Sequence, residues 1–175
     1  MPKIIDGARE RILANAKKRL FENGYQHLSL REVAKESGIA TGTIYNYFAN
    51  KDYLIASVML EDWVIAVEKM EKYITGASSV REGVEGICQA IDAFSEIYIS
   101  VWQQPAVAAA AASDMLHRHQ FLVSQIEEKV NALLDSHGYG DKKEFTALIA
   151  ELILNSFGKD VLRAQLGSLL EQLYP

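Results

Sequence analysis

Apolar residues recur at three- and four-residue intervals along most of the chain, and nowhere do they alternate with polar ones long enough to read as a strand. Ile12, Ala16 and Leu20, with Leu13 and Phe21 beside them, put one apolar face on a helix over residues 6–23. Lys17, Lys18 and Arg19 fall near its carboxyl end, where positive charge suits the helix dipole. Gly24 fits the left-handed residue that terminates it. Ser29-Leu30-Arg31-Glu32 reads as a capping box opening a short second helix through Val33 and Ala34 to Gly38, with Ser29 serving as the cap. A third short helix is expected from Thr41 to Phe48. Asn50, an N-cap, and Asp52, in the first turn, then begin a long helix to Ile74.

The linker Thr75-Gly76-Ala77-Ser78 precedes a second capping box, Ser79-Val80-Arg81-Glu82. The helix it opens carries Val84, Ile87, Ile91, Phe94, Tyr98 and Trp102 on one stripe. Pro105 starts an alanine-rich helix through Ala112, and Met115, Leu122, Ile126, Val130 and Leu133 mark another that ends near Gly138. The tail carries Phe145, Leu148, Leu152 and Phe157, then Leu162, Leu166, Leu169 and Leu173. Gly158 either divides this tail into two helices or bends one. The expected fold is all-α, with about nine helices.

Composition agrees with a globular chain of 175 residues: 49% are hydrophobic and 23% charged. No apolar run reaches the roughly 18 residues that a bilayer span needs, and the amino terminus lacks a secretory pattern. A single cysteine, Cys88, excludes an internal disulfide and fits a reducing cytoplasm. Charge changes the picture more. The net −5 would disfavour nucleic acid if it were spread evenly. It is not. Residues 1–53 hold nine Lys/Arg against six Asp/Glu, and the remainder nine against seventeen. A basic head on an acidic body attracts phosphate at one end only.

The two short helices joined by a glycine-containing turn form a helix-turn-helix unit over residues 30–48. A helix entering the major groove meets base edges with its first residues and exposed side chains. The helix from Thr41 offers small groups and then Tyr45 and Asn46, while Ile44 and Phe48, four apart, dock on the core. Thr43, Tyr47 and Lys51 are left within reach of phosphate oxygens.

Ile12-Leu13 and Ala16, Phe21-Glu22-Asn23-Gly24-Tyr25, Leu28-Ser29-Leu30-Arg31-Glu32-Val33-Ala34, Ser37-Gly38-Ile39, Gly42-Thr43-Ile44-Tyr45-Asn46-Tyr47-Phe48 and Asn50-Lys51-Asp52-Tyr53-Leu54 follow in order. Residues 6–60 thereby resemble the DNA-binding domain of the TetR family of bacterial transcription regulators. The resemblance implies that Arg31, Thr41, Gly42, Tyr45 and Asn46 approach bases and that Thr43, Tyr47 and Lys51 hold phosphates. It implies a DNA-binding domain over residues 1–53, a connecting helix at 50–74, and a ligand-binding and dimerisation domain over 54–175. Trp63, Tyr73, Phe94, Tyr98 and Trp102 would line an effector pocket. Phe145, Leu148, Leu152, Leu166, Leu169 and Leu173 would form a homodimer interface. Core packing is the competing reading of the pocket residues, because pocket and core are both apolar, whereas the tail stripe exceeds what a terminal helix pair needs to cover its own core.

No nucleophile motif, phosphate loop or dinucleotide fingerprint occurs, so no catalytic residue and no cofactor is expected. His117 and His119, two apart, lie on nearly opposite sides of a helix and cannot share a metal. The resulting expectation is a cytoplasmic, homodimeric, ligand-responsive repressor, leaving a palindromic operator in double-stranded DNA when a small hydrophobic effector binds. Alternatives are an activator or a partner-controlled regulator of the same fold, and a helical scaffold that does not read DNA.

Overall fold

The structure, a computed structural model, describes residues 6–103 and 115–175. Among the described residues the chain is all-helical, with eight helices: α1 (Ala8–His27), α2 (Leu30–Glu36), α3 (Thr41–Ile44), α4 (Lys51–Gly76), α5 (Val80–Trp102), α6 (Met115–Ser136), α7 (Thr146–Asn155) and α8 (Asp160–Leu173). The alanine-rich helix expected over 105–112 lies outside the described residues. No described helix is long and apolar enough to cross a membrane. The described residues pack as two compact units, one drawn from residues 6–63 and 98–103, the other from 64–97 and 115–175.

In the first unit, most of the predicted face of α1 is buried: Ile12, Leu13, Ala16 and Leu20 join Val33, Ala34, Ile44, Phe48 and Leu54 in the core, whereas Phe21, about 100° round the helix from Leu20, is 41% exposed. Gly24 takes φ 77°, ending the first stretch of α1 as expected, and Tyr25–His27 add one more turn beyond that kink. Ser29 caps α2 in position but not in chemistry. Its side chain makes no capping bond, and its carbonyl receives the Glu32 and Val33 amides at 3.1 and 3.0 Å. The Glu32 carboxylate, which a capping box would turn back on Ser29, goes instead to Arg19 Nη1 at 2.7 Å. A bond in which both partners are ionised outcompetes one in which only the carboxylate is.

Helix α3 is also shorter than expected. Regular helix stops at Ile44, and the Asn46 and Tyr47 amides reach back only three residues, to Thr43 and Ile44 at 3.1 and 3.0 Å. These tight bonds close the chain into a turn and free it to restart at Asn50, whose Oδ1 accepts the Tyr53 amide at 2.8 Å, the predicted N-cap.

In the second unit, the α5 stripe is realised: Val84, Ile87, Ile91 and Phe94 are all buried. The Glu82 amide donates to Ser79 Oγ at 3.2 Å, which is half of the second capping box; the Glu82 carboxylate accepts from the Ser78 amide at 2.7 Å rather than from Ser79. From α6, Ile126, Val130 and Leu133 enter the core. Gly158, at φ 66°, divides the tail into α7 and α8. Gly86 marks a close approach inside this unit, since a Cβ there would stand 2.5 Å from the Cβ of Tyr73. That atom cannot swing away, being fixed to the α4 backbone. Gly86→Val should therefore lower stability by about 1–3 kcal/mol. Gly76→Ala, where a Cβ meets nothing within 4 Å, serves as the control in thermal unfolding.

Candidate nucleic-acid interface

Helices α2 and α3 are joined by the turn at residues 37–40. Gly38 supplies its left-handed residue at φ 70°. Ser37 locks the turn from inside. Its hydroxyl donates to the Val33 carbonyl at 2.7 Å and accepts from Asn15 Nδ2 of α1 at 3.1 Å. Ile44 and Phe48 are buried to 0% and 1% exposure, anchoring the segment between them. Thr41, Gly42, Tyr45 and Asn46 consequently face outward, with Tyr45 at 54% exposure. These are the residues expected to approach bases, and Arg31 is exposed as well. Thr43 and Tyr47, expected on phosphates, are half-buried.

Lys51 is placed by aromatic and backbone contacts. Its Nζ donates to the Tyr25 carbonyl at 3.0 Å and lies 4.1 Å from the centre of the Tyr25 ring. An ammonium has three donors, so two remain for a phosphate. Tyr25 donates its hydroxyl to Asp52. Burial, reinforced by that carboxylate, pushes the phenol up to about 12.

An open groove of about 790 Å³ runs beside α2 and the start of α3, lined by His27, Ser29, Arg31, Glu32, Lys35, Ile39, Ala40 and Thr41. Arg31 and Lys35, four apart on α2, present their charges to it without an ion pair or hydrogen bond among the described residues. Sequence reasoning missed Lys35 and His27, because an exposed lysine or histidine in a helical pattern carries no distinguishing signal. The acidic residues of α2 are engaged elsewhere. Arg19 grips Glu36 through Nε and Nη2 at 2.9 and 2.7 Å, besides its bond to Glu32. Its hydrogen bonds hold the Glu36 carboxyl below the usual range.

A Cβ on Gly42 would meet nothing within 4 Å. Gly42→Ala should thus leave the fold unharmed or raise its stability by up to about 1 kcal/mol. Against DNA the added methyl would stand between backbone and base edges, lowering affinity by about tenfold, or ~1.4 kcal/mol. Unfolding curves and fluorescence anisotropy on the same preparation check both halves.

The residues expected around an effector fall in different units. Trp63 and Tyr98 are buried in the first, and Tyr98 donates to Asp62 at 2.6 Å. In the second unit, Phe94 is buried and Tyr73 exposed. The side chain of Trp102 lies outside the described residues. The tail residues also divide. Phe145 and Leu148 are exposed at 40% and 52%, and Leu152, Leu169 and Leu173 are half-buried. Leu166, at 2% exposure, packs inside its own chain, so it is a core residue rather than part of an interface. His119 pairs with Glu151 at 2.9 Å, and among the described residues no group of three His, Cys, Asp or Glu side chains could hold a metal ion.

Residues 12–58 match the model of a family described as bacterial regulatory proteins, tetR family. The transcriptional regulator HbdR of Aromatoleum sp. (strain CIB) is 22% identical over 134 residues, covering 77% of this chain and 57% of its own length. The fatty acid metabolism regulator protein of Bacillus subtilis (strain 168) is 36% identical over 63 residues, 36% of this chain and 32% of that protein. The chain spans less than two thirds of the length of either relative. Among solved structures, the fatty acid degradation regulator FadR from Bacillus halodurans matches with a TM-score of 0.59 at 21% identity, over 98% of this chain and 96% of that one. That likeness is one of fold.

Proposed function

We propose that this chain, whose residues 12–58 match the model of the bacterial tetR family of regulatory proteins, is a cytoplasmic DNA-binding transcription regulator, a repressor that leaves its operator when a small hydrophobic effector binds. The observation that carries the reading is the outward face of α2 and α3. Arg31, Thr41, Gly42, Tyr45 and Asn46 are exposed on it, beside a groove lined by Arg31 and Lys35, which form no ion pair among the described residues. Arg31 and Tyr45 read base edges, and Thr43, Tyr47 and Lys51 hold phosphates. A homodimer would set two such readers about 34–36 Å apart on a palindromic site, one turn of duplex. Exposed Phe145 and Leu148, together with half-buried Leu152, Leu169 and Leu173, support a dimer surface on the tail. Leu148→Asp should halve the sedimenting mass while leaving the helical circular dichroism intact; an unchanged mass would move the interface elsewhere.

The effector class rests on the body's composition. The match to a fatty acid regulator covers only 63 residues and so says nothing about the body's ligand. The body is rich in aromatic and aliphatic residues, and the residues expected around a pocket include no cluster of Lys or Arg that a highly charged anion would need. An effector that favours a DNA-incompetent state shifts the population away from the operator. The test is a mobility shift on the duplex flanking the protein's own gene, with random duplex as competitor. The reading predicts a retarded band that resists competitor and is released by hydrophobic compounds. No preference for the flanking duplex would contradict it. Release by phosphorylated metabolites alone would overturn the effector class.

A further inference from the structure

Helix α2 carries two charge pairs at four-residue spacing, Arg31 with Lys35 and Glu32 with Glu36. Left to themselves, they would cancel. Glu32 lines the same groove as Arg31 and Lys35, so a free carboxylate there would repel whatever phosphate the cations attract. The structure removes that conflict through one residue of α1. The Arg19 guanidinium, its side chain 18% exposed, donates to Glu36 from Nε and Nη2 and to Glu32 from Nη1. Three of its five N–H donors are thereby committed to carboxylates, on a side chain that is mostly buried. Exposed ion pairs of this kind add little to stability. What they change is the charge the groove presents, since Arg19 offsets one of the two carboxylates.

We propose that Arg19 is a positioning residue for DNA binding: by clamping Glu32 and Glu36 it leaves Arg31 and Lys35 as the charges that meet a backbone phosphate. The inference rests on the DNA-binding reading and extends it to Lys35 and to a residue that never touches DNA. The probe is a labelled random-sequence duplex, because sequence-independent binding is set by phosphate neutralisation.

At low salt, Arg19→Gln should weaken binding by about tenfold, and the deficit should shrink as salt screens the released carboxylates. The triple variant R19Q/E32Q/E36Q should bind within about twofold of wild type, since it removes clamp and carboxylates together. Lys35→Gln should flatten the dependence of log affinity on log salt by about 0.9, the signature of one lost phosphate contact. A triple variant as weak as R19Q, an unaltered R19Q, or an unaltered salt slope in K35Q would each overturn the proposal. Should R19Q not fold, E32Q/E36Q decides. With Arg19 intact and freed it should bind more tightly at low salt, and unchanged or weaker binding overturns the clamp. Failure of the DNA reading itself looks different, as a wild-type chain that binds no duplex, and would overturn both.

Discussion

Replacing Phe48 with alanine should destabilise the first unit by about 3–5 kcal/mol and abolish DNA binding. Phe48 is 1% exposed, and its ring lies 6.2 Å from that of Tyr53, with the Arg9 guanidinium 5.8 Å from its centre. It follows a reader helix of four residues whose own buried residue is Ile44. So short a helix has no stability of its own and is held by what flanks it. Since whole domains are stable by only about 5–15 kcal/mol, a cavity here removes a large fraction of the total. Tyr45→Ala, three residues earlier, should do the opposite. Tyr45 is 54% exposed, so stability should change by less than about 0.5 kcal/mol. Affinity for the specific site should nevertheless fall by about 1–3 kcal/mol. Urea unfolding followed by binding on each variant separates the anchor from the reader.

The second large effect is expected at Asp62. This carboxylate is nearly buried within the first unit, 9% exposed, and receives two hydrogen bonds, from Lys17 Nζ of α1 and from the Tyr98 hydroxyl of α5, both at 2.6 Å. Asp62→Ala leaves the two donors in different positions. Lys17, with its side chain 41% exposed, finds water, whereas the Tyr98 hydroxyl, on a fully buried residue, has none. The expected cost is about 1–3 kcal/mol, the penalty of an unmet buried donor. Tyr98→Phe in the Asp62→Ala background should recover part of it, and a double-mutant cycle measures the coupling.

The same cluster predicts a pH dependence. Burial, followed by the bond to Asp62, raises the Tyr98 phenol above its ordinary range, and Tyr25 is pushed up to about 12. Both therefore hold their protons more tightly folded than unfolded. Their contribution is complete below the ordinary tyrosine range near pH ~10 and is lost as pH rises through the folded values. Tyr98→Phe should accordingly show a shallower alkaline loss of stability than wild type.

Much of the first unit was legible because several local signals agreed. Ile12, Ala16 and Leu20 of α1, Gly24, Gly38 and the Asn50 cap each stand where the spacing predicts. Reading failed where two groups competed for one partner. Ser29 and Glu32 have the spacing of a capping box, but spacing does not reveal that Arg19, thirteen residues earlier, offers the carboxylate a stronger bond. The length of α3 was overread because Ile44 and Phe48 keep helical spacing through what is a tight turn. In the tail, one apolar stripe served two purposes. Leu166 faces inward and Leu148 outward, and a helical repeat of apolar residues looks the same in either case. The same degeneracy made pocket residues unreadable: Tyr98 is an aromatic on an apolar stripe, yet its hydroxyl is tied to Asp62.

The central claim, that the exposed face of α2 and α3 reads duplex DNA, is tested most directly by titrating wild type, Arg31→Ala and Lys51→Ala against the flanking and the random duplex across a salt series. The account predicts that Arg31→Ala loses about 1–3 kcal/mol on the flanking duplex alone. It predicts that Lys51→Ala weakens binding to both duplexes equally and flattens the salt slope by about one unit. Equal losses from Arg31→Ala on both duplexes, or a changed sequence preference in Lys51→Ala, would contradict it.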